Sequence, residues 1–518
     1  MLLNLLFSLV GSLGVYALYQ IFRLIYQSPL KLLPGPKSAH LLYGNLSTVL
    51  LSNSTVRSSL FSVCSIPTSR RKGFFGLTQL YTTDTKALNH FLTNSYIYQK
   101  AELSRYFLSR IVGPGVLVAE GDAHRRQNPA FGAPQVRELT EIFVQKSVEL
   151  RDIWSAQTAG SGTARVDVLA WLSKATLDMI GLAGRFNSLA SEEQTELAAA
   201  FATTVEASQE MVPLRIVQAW IPAFRFLSKL DRALEKPQAV MQRIGLLLIQ
   251  KSKDEMAQNG TFETGRSRDL LSLLVRANTA KDLPASQRLS DEDVLAQVPT
   301  FLVAGHETTA TTWALFALTQ NLAAQTRLRN ELLEVGTDEP TMDELNALQY
   351  LDCVVRETLR LHAPVPLTRR VATQDDIVPL DKPFTDIHGN VHETIRVTKG
   401  QSIVIPILAV NRDPAIWGPD STEFIPERWE SGISTPIPGI WGHMLSFLGG
   451  PRACIGYRFS LIEMKALLFT LVRAFEFELA VPIADIQKKT AIVQRPMVRS
   501  EPAAGDQMPL IIKPYICS

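Results

Sequence analysis

One stretch constrains this chain more than any other: Ser446-Phe447-Leu448-Gly449-Gly450-Pro451-Arg452-Ala453-Cys454-Ile455-Gly456, followed at once by an apolar-periodic run from Tyr457. The glycines at 449, 450 and 456 permit backbone conformations closed to other residues and let the main chain approach a flat ligand closely. Cys454 is set just ahead of a helix start, where the positive end of the helix dipole favours a thiolate. Five fixed positions, Phe-x-x-Gly-x-Arg-x-Cys-x-Gly, coincide here. Chance supplies that in on the order of one in ten thousand chains of this size, so an inert cysteine in a random glycine-rich loop is the weaker reading. Of the four cysteines, Cys64, Cys353 and Cys517 are scattered and no Cys-x-x-Cys pair occurs. That is too few for a disulfide framework and the wrong spacing for structural zinc, so Cys454 acts alone.

The 518 residues carry 52 Lys+Arg against 50 Asp+Glu, a net charge of +2, which leaves no electrostatic footprint for nucleic acid. A hydrophobic content of 46% excludes wholesale disorder. No Gly/Ser-rich linker, charge block or internal repeat divides the body, so a single domain over 45–518 is expected. Apolar residues recur at three-and-four spacing through 134–158, 165–210, 230–257, 290–322 and 457–474, which makes the protein mainly α. Strand-like material is confined to one small β region, chiefly Phe74–Tyr81, the Pro/Gly-punctuated 366–400 and Ser402–Val410. The best-marked helix starts at Ser290, where Ser290 and Asp293 form a Ser-x-x-Asp variant of the capping box, and its apolar run continues to Leu318. A helix apolar most of the way round belongs in a core. Yet it holds Gly305, His306, Glu307, Thr308, Thr309, Thr311 and Thr312.

From Leu2 to Phe22 there is no charged side chain, and this length suffices to cross a hydrocarbon core of roughly 30 Å. Residues 1–22 are expected to be a transmembrane anchor, and 23–44 a linker whose Leu33-Pro34-Gly35-Pro36 makes a stiff bend. A cleaved secretory signal is the rival reading, but no basic region precedes the apolar run. Arg23, Lys31 and Lys37 follow it, which keeps the bulk of the chain on the cytosolic side.

A thiolate at a helix start is a fit ligand for haem iron. The Ser446–Gly456 segment resembles the haem-binding loop of the haem-thiolate monooxygenases, the cytochrome P-450 superfamily, and three further motifs extend the resemblance over roughly residues 74–500. Ala304-Gly305-His306-Glu307-Thr308-Thr309 is similar to the family's central-helix motif. There Gly305 would open room for dioxygen, while Glu307 and Thr308 form an acid–alcohol pair able to relay protons. His306-Glu307 is no zinc motif, because Ala310 stands where a second histidine would be needed. Glu357-Thr358-Leu359-Arg360 with Phe424-Ile425-Pro426-Glu427-Arg428-Trp429 resembles the two parts of a buried triad, Glu357, Arg360 and Arg428, which sets the loop holding Cys454. Pro364-Val365-Pro366-Leu367-Thr368-Arg369-Arg370-Val371 resembles the strand carrying one haem-propionate arginine. Arg370 is chosen over Arg369, with Arg452 as the other propionate partner.

The pattern is broken at one place. Where the family has Trp-x-x-x-Arg on an early helix, this chain has His124, then Asn128 four residues on; either Arg125 or Arg126 substitutes for the missing arginine, or the helix is damaged and haem retention is weakened. Residues 46–72 are rich in Ser where relatives carry a charged amphipathic helix.

The resemblance implies a mainly α cytochrome P-450 fold with a small β region and one haem b. Cys454 would be the metal ligand. Phe447, Gly450, Arg452, Gly456, Arg370, His124 and Gly305 would line the cofactor, with Thr308 and Glu307 catalytic. It implies electrons from an NADPH-cytochrome reductase, a lipophilic substrate, contact with membrane lipid and no nucleic acid. It looks most like membrane-bound fungal members acting on terpenoids and other specialised metabolites. The expected location is the endoplasmic reticulum membrane, single-pass, with the catalytic domain cytosolic. Two alternatives share these motifs: a reductase-independent isomerase or dehydratase, and a catalytically impaired haem-binding membrane protein.

Overall fold

Helices form where the three-and-four spacing runs longest, and strands where distant segments find partners. The computed structural model describes residues 28–38, 44–45, 67–73, 76–126, 133–183, 229–258, 290–307, 310–432, 437–490 and 493–516, with isolated positions before 20 and at 200 and 203. In chain order the helices are α1 (Thr85–Thr93), α2 (Glu102–Val112), α3 (Gly121–Arg126), α4 (Ala133–Thr158), α5 (Val168–Ala183), α6 (Lys229–Gln258) and α7 (Asp291–Glu307). There follow α8 (Thr311–Gln320), α9 (Leu322–Leu333), α10 (Met342–Ala347), α11 (Gln349–Leu361), α12 (Ile407–Val410), α13 (Pro414–Trp417) and α14 (Tyr457–Ala474). The strands are β1 (Thr68–Lys72), β2 (Thr78–Thr82), β3 (Tyr98–Gln99), β4 (Ala164–Asp167), β5 (Thr368–Ala372) and β6 (Asp376–Thr385). The rest are β7 (Val391–Val397), β8 (Ser402–Ile405), β9 (Phe475–Leu479), β10 (Ile486–Thr490), β11 (Gln494–Val498) and β12 (Pro509–Pro514).

The chain divides into two compact units. The first takes Met1–Ala101, Val365–Ser421 and Ser434–Ala453; the second takes Glu102–Pro364, Thr422–Ile433 and Cys454–Ser518. Contacts made hundreds of residues apart decide this division, and no local composition shift announces it.

In the first unit a five-stranded sheet runs in the order β1-β2-β8-β5-β3, with β2 and β8 parallel and the other neighbours antiparallel. Its core gathers Leu30, Leu80, Phe91, Tyr98, Val378, Val397 and Ile403, all nearly excluded from solvent. The β6–β7 hairpin and α1 complete it. Asp84 caps α1 through the Ala87 N–H at 2.9 Å and accepts from the Asp381 N–H, so one carboxylate ties helix to hairpin.

The second unit is the helical body. α14 is buried nearly all round from Leu461 to Val472, and Phe459 meets Phe143 of α4 edge-on at 4.7 Å. A sheet in the order β4-β12-β9 lies beside Trp154, whose ring meets Phe475 at 5.9 Å. Buried Lys465 of α14 reaches Asp352 of α11 at 2.9 Å, which pairs the charge inside the body.

Several expectations are corrected. The helix expected over 165–210 starts at Val168, because Ala164–Asp167 is drawn into antiparallel pairing with β12, a partner invisible to local periodicity. The Ser402–Val410 strand ends at Ile405: Pro406 has no N–H for the ladder and leads into α12. The run from Ser290 to Leu318 forms two helices, α7 and α8, the second starting after Ala310, whose carbonyl accepts from the Trp313 and Ala314 N–H groups. Its capping box is present: the Asp293 N–H donates to Ser290 Oγ at 3.0 Å and the Ser290 N–H to Asp293 Oδ2 at 3.1 Å. The β material exceeds one small region, and Thr68–Lys72 is a strand within the Ser-rich 46–72. Among the described residues no helix is long and apolar enough to cross a membrane. The expected anchor, 1–22, falls mostly outside them, as do Asn128 and most of 46–66.

Candidate functional site

Cys454 stands two residues ahead of Gly456, the N-cap of α14. It is a free thiol with accessible surface. Even so, surrounding protein burial pushes it up to about 11, against a hydrogen bond from the Gly456 N–H that acts in the other direction. The two observations agree if the accessible face lies deep in the body. Desolvation thus acts against the thiolate that the helix dipole favours.

The three loop glycines have different reasons. A Cβ on Gly449 would meet the Pro438 carbonyl oxygen at 1.8 Å, and Gly450 has φ +67° with the Leu92 carbonyl oxygen 2.3 Å from such a Cβ. Both are demanded by chain crossings within the first unit. Gly456 has φ −89°, and a Cβ there meets no atom of the described residues within 4 Å. Glycine at 456 therefore leaves open space beside the backbone next to Cys454 among the described residues.

Glu357, wholly buried on α11, is the centre of a charged network inside the second unit. Arg360, one turn on, donates to both its oxygens, Nε at 2.8 Å and Nη2 at 2.7 Å. Arg428 Nε donates at 3.3 Å, the Ile425 N–H at 3.0 Å and Trp429 Nε1 at 3.0 Å. Arg360 Nη2 also reaches the Glu423 carbonyl at 3.1 Å. Sequence reasoning found Glu357, Arg360 and Arg428 and missed Trp429. The spacing of the charged residues signalled the triad, whereas an indole donor has no spacing rule.

In the first unit Arg370 of β5 is 3% exposed, with Nη1 donating to Thr368 Oγ1 at 2.9 Å and to the Arg369 carbonyl at 2.8 Å. Its neighbour Arg369, on the opposite face of the strand, has a buried Nε with no hydrogen-bond partner. Phe447 is buried against Trp441 at 5.9 Å, and Arg452 ends a 3-10 turn over Gly450–Arg452. The approach to Phe447 is held by a residue the sequence did not flag. Buried Asn411 accepts the Leu445 N–H at 2.9 Å and donates to Ser446 Oγ at 2.8 Å.

A family model, Cytochrome P-450, matches residues 79–499. The chain is 51% identical to cytochrome P-450 monooxygenase 205 of Postia placenta, over 99% of this chain and 98% of that protein. The chain belongs to the cytochrome P-450 family. It is also 34% identical to cytochrome P-450 monooxygenase claO of Ampulloclitocybe clavipes, over 86% of each chain. A third relative, ganoderic acid synthetase CYP5150L8 of Ganoderma lucidum, is 32% identical over 90% of this chain and 91% of its own.

The enzyme is thus a cytochrome P-450 monooxygenase, and its cofactor is haem b with a thiolate on the iron. The described residues fit such a group: Cys454 is a free cysteine with accessible surface just ahead of α14, and Gly456 beside it meets no described atom. Gly305 of α7, read from sequence as room for dioxygen, also has a packing reason, since a Cβ there would meet Ile180 of α5 at 2.9 Å. The polar residues earlier on α7 fasten a loop. Gln297 Oε1 accepts the Val116 N–H at 2.9 Å, and Thr300 Oγ1 donates to the Val112 carbonyl at 2.8 Å. His124 lies half-buried on the short α3. Glu307 ends α7, and Thr308 lies outside the described residues, as do the side chains of Glu307, Arg125 and Arg126.

Proposed function

We propose that this P-450 is anchored in the endoplasmic reticulum membrane with its catalytic body on the cytosolic face. It inserts one oxygen atom of O2 into a lipophilic specialised metabolite, a terpenoid first among the candidates, using electrons from an NADPH-cytochrome reductase. The observation that carries the catalytic reading is Cys454, alone ahead of α14 beside the free glycine face of Gly456. The uncharged run from Leu2 to Phe22 supports the anchor. The fungal relatives, one of them named for ganoderic acid synthesis, support the substrate class.

When bound, haem supplies the dioxygen chemistry. Cys454 would hold the iron, Arg370 and Arg452 the propionates, and Phe447, Gly450, Gly456, His124 and Gly305 would shape its surroundings. Glu357 takes the charge of Arg360 and Arg428 and holds Ile425 and Trp429, which stiffens the segment leading toward the cysteine loop. Glu307 and Thr308 pass protons inward.

The test is product analysis from microsomes of a host expressing the full chain with a reductase. NADPH-dependent appearance of substrate plus one oxygen atom is expected. Turnover without NADPH and reductase would make the chain an isomerase or dehydratase. Haem binding with no turnover of any lipophilic metabolite supplied would make it a binding protein.

A further inference from the structure

The five-stranded sheet of the first unit has two unlike faces. One sends Leu80 and Ile403 into the core. On the other, strand pairing sets Ser69 of β1, Tyr81 of β2, Val404 of β8 and Arg369 of β5 in one row across the sheet. Arg71 lies two residues on from Ser69, so it shares this face and heads the next row, with Gln79, Ser402 and Val371. Neither row contains a carboxylate. Ser69 is 1% exposed, and its Oγ, Arg71 Nε and Nη2 and Arg369 Nε are all buried without a hydrogen-bond partner. Arg71 Cζ lies over the Tyr81 ring, 3.4 Å from its centre, which engages the flat face of the guanidinium and leaves the N–H groups at its edge unanswered. Burial alone holds the Arg369 guanidinium below its usual range. A guanidinium buried without an acceptor costs stability, and an apolar side chain of like volume would remove that cost.

β1 and β5 stand three strand spacings apart, about 14 Å, and Arg71 leans across the first of these over Tyr81. Two cations and a hydroxyl therefore border a strip floored by Tyr81 and Val404. The group that fits them is a carboxylate, which only accepts, has about four lone-pair sites and takes paired N–H donors from arginine. The apolar floor suits a molecule whose remainder is lipophilic. We propose that this face holds the carboxylate of the enzyme's substrate between Arg71 and Arg369, with Ser69 as a further donor, so that the substrate is a lipophilic carboxylic acid. The inference rests on the monooxygenase reading and narrows its substrate class. Arg370, next along β5, belongs to the opposite face of the sheet and takes no part in it.

Dodecanoic acid and methyl dodecanoate, alike in chain length but not in charge, are titrated into the haem-loaded full chain, with the Soret shift of substrate binding and the thermal midpoint as readouts. The parent should bind the acid at least about tenfold more tightly than the ester, and the acid should raise the midpoint further. Arg71→Gln and Arg369→Gln should each weaken acid binding about ten- to hundredfold and leave the ester within about twofold. Without ligand each should melt above the parent, because a buried unpaired charge is gone. Equal affinity for acid and ester in the parent, or acid affinity unchanged in both arginine variants, overturns the proposal. So does a lowered midpoint with equal loss of both ligands, which is what purely structural arginines would give. Should an arginine variant fail to load haem, Ser69→Ala must still weaken the acid about three- to tenfold with the ester unmoved; parent affinity there also overturns it. A midpoint raised by the acid with no Soret shift would set the carboxylate site apart from the substrate and overturn the substrate assignment. A parent without the red-shifted carbon monoxide band fails the haem reading instead, and the midpoints then still decide between acid and ester at this face.

Discussion

Glu357 shows how far a single residue can organise a site. Its two oxygens are shared by Arg360, Arg428, Trp429 and the Ile425 N–H in a place without solvent. Glu357→Gln keeps the shape but removes the charge that Arg360 and Arg428 share. It should cost about 3–5 kcal/mol, read as a lower denaturant midpoint and poor haem loading. Trp429→Phe removes one hydrogen bond to a charged group and should cost about 1.5–3 kcal/mol with haem binding retained. Equal losses in the two variants would mean that the network is not centred on the carboxylate. Glu357, Arg360 and Arg428 were legible because their spacing places charge at fixed points. Trp429 and Asn411 were not, since each works through a partner that only the folded chain brings near. Even where the residue was found, its environment was not: the helix dipole argument favoured a thiolate at Cys454, and burial acts against it.

At the scale of elements, the packing of α5 on α4 carries a titratable fault. Asp178 of α5 is 6% exposed, and burial pushes it up to about 6; nearby Lys146 lowers it and Glu149, paired with that lysine at 2.6 Å, raises it again. A carboxyl whose folded value lies above its unfolded one favours folding while protonated. That stability is present in full below the unfolded value near 3.8 and is lost as pH rises to about 6. Asp178→Asn should therefore be more stable than the parent by about 2–3 kcal/mol above pH 6. The advantage should shrink steadily as pH falls from about 6 toward 4, read from denaturant midpoints across that range. A gap independent of pH would assign the effect to packing. Elements with strong local signals were placed well: the 134–158 and 457–474 runs became α4 and α14 almost to the residue. The failures share one cause. β4 was hidden inside a helical pattern because its partner, β12, lies more than three hundred residues away.

The whole molecule was legible as a mainly α P-450, because the family's motifs are short and local. Its division into two interleaved units was not, because Val365–Ser421 and Ser434–Ala453 join the N-terminal strands through sheet and loop pairings that have no signature along the chain. Membrane attachment belongs to this scale. Deleting residues 1–22 should move a large share of the protein from the membrane pellet to the supernatant while leaving the haem spectrum unchanged. Undiminished pelleting would place the attachment elsewhere in the chain. The central claim, that Cys454 holds the iron, is tested most directly by the spectrum of the reduced protein under carbon monoxide. The parent should show the strongly red-shifted Soret band of thiolate ligation and Cys454→Ala should lack it; the same band in the variant would contradict the account and turn the search to Cys64, Cys353 or Cys517.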